Sequence, residues 1–316
     1  MLLNYGLYLR SWVVIDKNGC QVDIALGYEN SKAYFNDPSY LGCMVGRVAG
    51  RIRNGKFTLD GKTYQLAKNN GPNFVHGGLR GFSRKFWTID KVDDENKSAT
   101  FSCDSADGED GFPGRVFTKA TIQLSESNEL KIQLTATTDA ATPIGISLHP
   151  LFNLSGEGTQ TIDKHLFTIH CASYMPVDEH NMETGEIRSV EGTDFDFRQP
   201  KSMSVCTTSP MLHACYPLAM INDHVLKHAA TAAHTENGLQ MDVWTDQPAV
   251  VFYTAKYLNV TSGAKQNHQY PAHSAFLFMT HGYPDAVNYD TSFPTNIVRP
   301  GETYSHTCIY KMSTVK

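Results

Sequence analysis

The sequence predicts an all-β fold of the sandwich type, and three features carry that reading. Short runs rich in β-branched and aromatic residues succeed one another, separated by clusters of Gly, Pro, Asn and Asp. Dipeptides that favour tight turns fall between those runs: Asn54-Gly55, Asp60-Gly61 and Asp107-Gly108. Long amphipathic helical patterns are almost absent.

Runs at 56–59, 99–103, 116–124, 129–137, 250–254, 274–280 and 307–310 read as strands. ELKIQLTAT at 129–137 alternates apolar and polar residues almost strictly, the pattern of a strand with one buried and one wet face. AFLFMT at 275–280 is apolar on both faces, which suits an inner strand covered from either side. Asn54 and Asp60 bracket KFTL, so RIRNGKFTLDGKTYQL reads as consecutive hairpins.

With 316 residues, 41% of them hydrophobic, the chain can bury a large core. All-β sandwiches of this size commonly fold as one unit. No repeat, low-complexity stretch or Pro/Ser-rich linker divides the chain, so residues 1–316 are expected to form a single domain. The net charge of −5 is made of interspersed acids and bases, without the clustered Lys and Arg of a nucleic-acid-binding face. No apolar stretch nears the roughly 18 residues that suggest a membrane helix. The opening MLLNYGLYLRSWVV lacks the basic, apolar and small-residue regions of a secretory leader. Seven cysteines, at 20, 43, 103, 171, 206, 215 and 308, show no CxxC spacing. Such an odd, unpatterned set reads as reduced thiols of a cytoplasmic protein. No Cys or His pair has zinc-ligand spacing, so no metal site is expected.

Three histidines lie in dense local signatures. His76 sits in NNGPNFVHGG (69–78), where glycines let the backbone turn sharply and present a side chain. His149 lies in GISLHPLFNLSG (145–156), at the start of an apolar segment. His281 follows the apolar run in AFLFMTHGYPDAVN (275–288), where a strand gives way to a Pro-containing turn. Taken singly, each also fits a core or turn role in which a backbone carbonyl satisfies the ring.

Together with GRVAGRIRNGKFTLDGKTYQL, SADGEDGFPG, YMPVDEHNMETGEI, GTDFDFRQP and FPTNIVRPGETY, these blocks resemble the galactose mutarotase (aldose 1-epimerase) family. The matches are collinear from about Leu3 to about Tyr310. The resemblance implies a large antiparallel β-sandwich of the galactose mutarotase type, with a substrate cleft on its concave sheet. It also implies interconversion of the α and β anomers of an aldose without metal or other cofactor. In that chemistry a carboxylate takes the proton of the anomeric hydroxyl while a histidine protonates the ring oxygen. The aldehyde face then turns before the ring closes with the two roles exchanged. Well-placed acid–base groups of this kind each contribute about 10²–10⁴-fold.

Residue by residue, the resemblance assigns Arg51 and His76 to sugar binding and His149 to the general acid. Gly50 stands where the family has Asn, and Leu148 and Leu151 replace the Asn and Tyr flanking the acid. The base departs from the pattern. Where the family has Glu-Thr-Gln before the YPDA turn, this chain has Met279-Thr280-His281, so Met279 occupies the position of the catalytic glutamate. Val251 replaces a binding glutamine. Asp223, followed by His224, is the nearest match to the family's sugar-binding aspartate, with Ile221 as the alternative.

These changes predict a more apolar pocket, in which unpaired sugar hydroxyls are costly to bury. Met279 and His281 should share a strand face about 6–7 Å apart, so His281 can serve as a replacement base at neutral pH. His149, desolvated by Leu148 and Leu151, is expected to titrate near working pH. The preferred reading is an isomerase with His149 and His281 as the acid–base pair, acting on a sugar or another cyclic small metabolite. Ordinary aldoses should turn over on the order of 10²-fold or more below an intact family member. A non-catalytic binding protein is the second reading. A hexose-phosphate epimerase relative, with Arg53, Arg80 and Arg84 supplying charge, is the third. Neither nucleic acid nor membrane is expected as a partner, and the chain should be a monomer or homodimer.

Overall fold

Strict alternation builds the largest element of the fold. In the strand Glu129–Thr138, Leu130, Ile132, Leu134 and Ala136 are buried while Gln133, Thr135 and Thr137 face solvent. The partner strand Val116–Leu124 buries Val116, Thr118, Ala120 and Ile122 in the same way, with Ile122 opposite Ile132 and Ala120 opposite Leu134. The computed structural model describes residues 1–159, 161–203, 213–221, 223–289 and 293–315. Among them lies a nine-stranded antiparallel sheet. Its order is Lys201–Ser202, His165–Ile169, Lys227–His234, Leu239–Thr245, Tyr304–Thr314, Glu129–Thr138, Val116–Leu124, Ser98–Ser105 and Thr88–Asp93. No α-helix occurs among the described residues, only short 3₁₀ turns, and none of them is long and apolar enough to cross a membrane.

A second layer contains the three-stranded antiparallel sheet His213–Pro217, Ala249–Tyr253 and Leu277–His281. Every residue of Leu277–His281 is buried, as its two-sided apolar character predicts. Alternation sorts this sheet into two faces. Tyr216, Val250, Phe252 and Phe278 join the main core. Cys215, Val251, Leu277 and Met279 belong to a separate apolar cluster on the opposite face.

The hairpin expectation holds in one half. Asp60 and Gly61, both at positive φ (50° and 76°), join Lys56–Leu59 to Lys62–Gln65. That two-residue geometry matches the twist of paired strands. Arg51–Ile52, however, pairs with Phe74–Val75 and not with Lys56–Leu59. The amides around Asn54 are claimed by side chains instead. Arg53 N–H donates to Asp285 at 3.1 Å and Asn54 N–H to Asn73 at 2.9 Å, which turns the chain away from a ladder. Cys20, Cys43, Cys103, Cys171, Cys215 and Cys308 are free thiols; Cys206 lies outside the described residues.

Candidate active site

Strand register sets out the floor of a cleft. His213, Tyr253 and Leu277 stand opposite one another across the three-stranded sheet. Cys215, Val251 and Met279 form the next row, and Pro217, Ala249 and His281 the third. Opposed residues share a face, and six residues of these rows, His213, Tyr253, Leu277, Val251, Met279 and His281, line a small cleft. Met279 and His281 line it together, as the period of two requires, with Val251 between Met279 and Cys215.

The walls come from loops. Arg51 opens the short strand that pairs with Phe74–Val75, and His76 follows that partner at φ 50°. Gly77 is required directly after it, because a Cβ there would lie 1.8 Å from the Gly46 carbonyl oxygen. This close approach is the physical content of the VHGG block. His149 follows the strand Ser147–Leu148 and packs against His76, with ring centroids 5.0 Å apart.

Hydrogen bonds fix the tautomers of these two rings. Gly50 N–H donates to Nδ1 of His76 at 3.2 Å, so the neutral ring carries its proton on Nε2 and offers a donor. His149 Nδ1 lies 3.0 Å from the Tyr40 carbonyl, which can only accept. Its Nδ1 therefore holds the proton, and Nε2 of the neutral ring is a free base. Burial pushes the pKa of His149 down to about 4, against the Tyr40 carbonyl, which favours the charged form. Burial takes His281 to about 4 and His213 to about 3, and holds His76 well below the ordinary histidine range. The expectation that His149 titrates near neutrality is thus corrected: at 6% exposure, burial disfavours its charged form. His281, 2% exposed, has a buried Nε2 with no hydrogen-bond partner.

Sequence reasoning missed two residues here, Glu183 and His213. Glu183 lies in YMPVDEHNMETGEI, at the end of a tight loop. Asp178 caps that loop, accepting from His180 N–H at 2.9 Å and Met182 N–H at 3.0 Å. The Glu183 side chain lines the cleft, 2% exposed, and its Oε2 has no hydrogen-bond partner among the described residues. Burial pushes its carboxyl up to about 7, with Arg51 pulling the other way.

His213 takes the place in which an aspartate was sought. Asp223 lies beyond the strand His213–Pro217 and outside the cleft, ion-paired with Lys227 and accepting from Val225 N–H at 3.1 Å. Ile221 is 66% exposed and lines no part of the cleft either. The assignment of Asp223 to substrate binding is therefore withdrawn. Pairing His213 with Tyr253 puts the cleft-facing position ten residues before it, and one-dimensional matching could not see that register. Leu148 points into the main core and Leu151 into the second apolar cluster, so neither walls the cleft. Of the arginines considered, only Arg51 lines it. Arg53 grips Asp178 at 2.9 Å, and Arg80 and Arg84 are exposed elsewhere. No group of three or more His, Cys, Asp or Glu among the described residues is placed to hold a metal.

Residues 1–311 match the aldose 1-epimerase family. Galactose mutarotase of Rattus norvegicus is 37% identical over 313 residues, covering 99% of this chain and 90% of the relative. Aldose 1-epimerase of Escherichia coli strain K12 is 30% identical over 317 residues, covering 98% and 90%. A GalM/aldose epimerase homologue from C. elegans superposes with a TM-score of 0.92 at 28% identity, over 100% of this chain and 95% of that one. Galactose 1-epimerase from Lactobacillus acidophilus shares the fold with a TM-score of 0.84 at 24% identity, over 100% and 91%. Fold, collinear motifs and relatives agree, and the chain belongs to the aldose 1-epimerase family, an isomerase family built on this β-sandwich.

Proposed function

We propose that this protein interconverts the anomers of a cyclic hemiacetal by acid–base opening and closing of the ring, centred on His149. Its substrate would be less hydroxylated than an ordinary aldose, whether a deoxy sugar or another cyclic metabolite. One observation carries the reading. His149 lines the cleft with Nδ1 committed to the Tyr40 carbonyl, so Nε2 is left to exchange a proton with a ligand.

Substrate class follows from the floor. Val251 and Met279 stand side by side where they offer no hydrogen bond. Each sugar hydroxyl set against them would be buried without a partner, at a cost of about 1–3 kcal/mol. Polar recognition is left to Arg51 and the Nε2–H of His76 on the walls and to His213 at one end of the floor. His281, the candidate complementary base, presents an unpartnered nitrogen but no charge at neutral pH.

Polarimetry on freshly dissolved D-galactose, D-glucose and their 2-deoxy and 6-deoxy counterparts tests this reading. The expected result is acceleration of anomer exchange, larger for at least one deoxy sugar than for its parent. Binding of these sugars without any acceleration would instead identify a non-catalytic carbohydrate-binding protein.

A further inference from the structure

Ring opening needs two proton-transfer groups, and Met279 can be neither. His149 supplies one. The buried carboxylates of this fold show where the other lies. Asp37 accepts from Ser39 N–H, Leu41 N–H and the Tyr28 hydroxyl. Asp246 accepts from Thr307 N–H and Gln247, and Asp285 from Arg53 N–H and Asn288. Glu157 accepts from the Tyr270 hydroxyl. These are structural carboxylates, each held by a donor as buried polar groups normally are, although Oε1 of Glu157, 3.4 Å from Nδ1 of His268, likewise has no hydrogen-bond partner. Glu183 differs. It is equally buried, but of these five carboxylates it alone lines the cleft, where its Oε2 is unpartnered.

Its backbone, by contrast, is held firmly. The Glu183 carbonyl accepts from Arg53 Nη2 at 3.0 Å and from the Tyr289 hydroxyl at 2.7 Å. A fixed main chain carrying a buried carboxyl with one oxygen unpartnered in a ligand cleft is the pattern of a group reserved for substrate.

We infer that Glu183 is the carboxyl partner of His149, supplying the second proton-transfer group from the 178–183 loop, with the starting roles of acid and base exchanged relative to the family pattern. This inference rests on the acid–base reading above. In ring opening, the anomeric hydroxyl gives its proton to Nε2 of His149, and the Glu183 carboxyl gives its proton to the ring oxygen. The bond between C1 and that oxygen breaks, and an open-chain aldehyde forms. After the aldehyde turns, the chain hydroxyl attacks the other face of C1. Its proton goes to the Glu183 carboxylate, and the His149 imidazolium protonates the C1 oxygen. Both groups end as they began.

Burial supports the starting states, since it keeps Glu183 protonated up to about pH 7 and His149 neutral down to about pH 4. The charges acting on Glu183 are Arg51 across the cleft, which favours its ionised form, and Asp178 and Asp285, which oppose it. The histidines facing it at 149, 213 and 281 are neutral above about pH 4, and burial holds His76 well below the ordinary histidine range.

The test compares wild type with Glu183→Gln and Glu183→Ala, following anomer exchange of the same parent and deoxy sugars by NMR saturation transfer. In Glu183→Gln, kcat should fall by about 10²–10⁴-fold with little change in KM. Wild type should lose kcat/KM above about pH 7, and that loss should vanish in the variant. Added formate should restore part of the activity of Glu183→Ala, which a merely structural carboxylate would not allow. Wild-type turnover in Glu183→Gln overturns the assignment and leaves the His149 reading standing. A wild-type protein that accelerates none of these sugars overturns both.

Discussion

Arg53 holds the carbonyl oxygen of Glu183 at 3.0 Å while its other terminal nitrogen pairs with Asp178 at 2.9 Å. One side chain thus ties both ends of the 178–183 loop to the turn that also carries Arg51. Residues at the mouth, including Asn181, depend on that tie for their placement. Because Arg53 is about one-third exposed, the pair is partly screened. Arg53→Ala should therefore cost only about 1 kcal/mol in global stability. Hydrogen exchange of the 178–183 amides should nevertheless speed up markedly, and KM should rise. Unchanged exchange in that segment would mean the loop is held by Asp178 and Tyr289 without Arg53.

Register, and not sequence order, decides which residue faces substrate. Asp223→Asn should leave kcat/KM within about a factor of two, as expected for a surface change. His213→Ala should lower kcat/KM about tenfold through loss of one ligand hydrogen bond. Steady-state kinetics on the two variants separates them. The reverse ranking would mean that the 213–217 strand is not the cleft strand in solution.

Cleft residues make stability depend on pH in two opposite senses. His149 and His281 have folded pKa values of about 4, below the ordinary 6.5. Stability linked to their neutral forms is full above about 6.5 and is lost as pH falls through 4, on the order of 3 kcal/mol for each. Glu183 is raised from 4.5 to about 7. Stability linked to its protonated form is full below about 4.5 and is lost as pH rises through 7, again on the order of 3 kcal/mol. Urea unfolding should therefore show Glu183→Gln to be more stable than wild type at pH 8 and no more stable at pH 4.5. An equal increment at both pH values would show that the carboxyl is not buried.

Much of the fold was legible because its signals are local. The alternation of 129–137 and the Asp60-Gly61 turn each act within a few residues, and both formed. The Asn54-Gly55 turn misled because Asp285 and Asn73, far along the chain, claim its amides. At the site, Arg51, His76, His149, Val251, Met279 and His281 were named from motif positions, and one cleft gathers them all. Glu183 was hidden in a block read as loop, where nothing local distinguishes it from the exposed Glu179 and Glu186. Its carbonyl is held by Arg53 and by Tyr289, residues far along the chain whose approach is not visible in a linear pattern. His213 was missed for a related reason, since its facing is set by pairing with Tyr253.

Replacing His149 bears most directly on the claim that this cleft opens and closes a hemiacetal. Anomer exchange measured by NMR on the best sugar substrate should fall by about 10²–10⁴-fold in His149→Ala. Circular dichroism should remain unchanged, and ligand binding should persist through Arg51 and His76. Wild-type exchange rates in that variant, with the fold intact, would contradict the account.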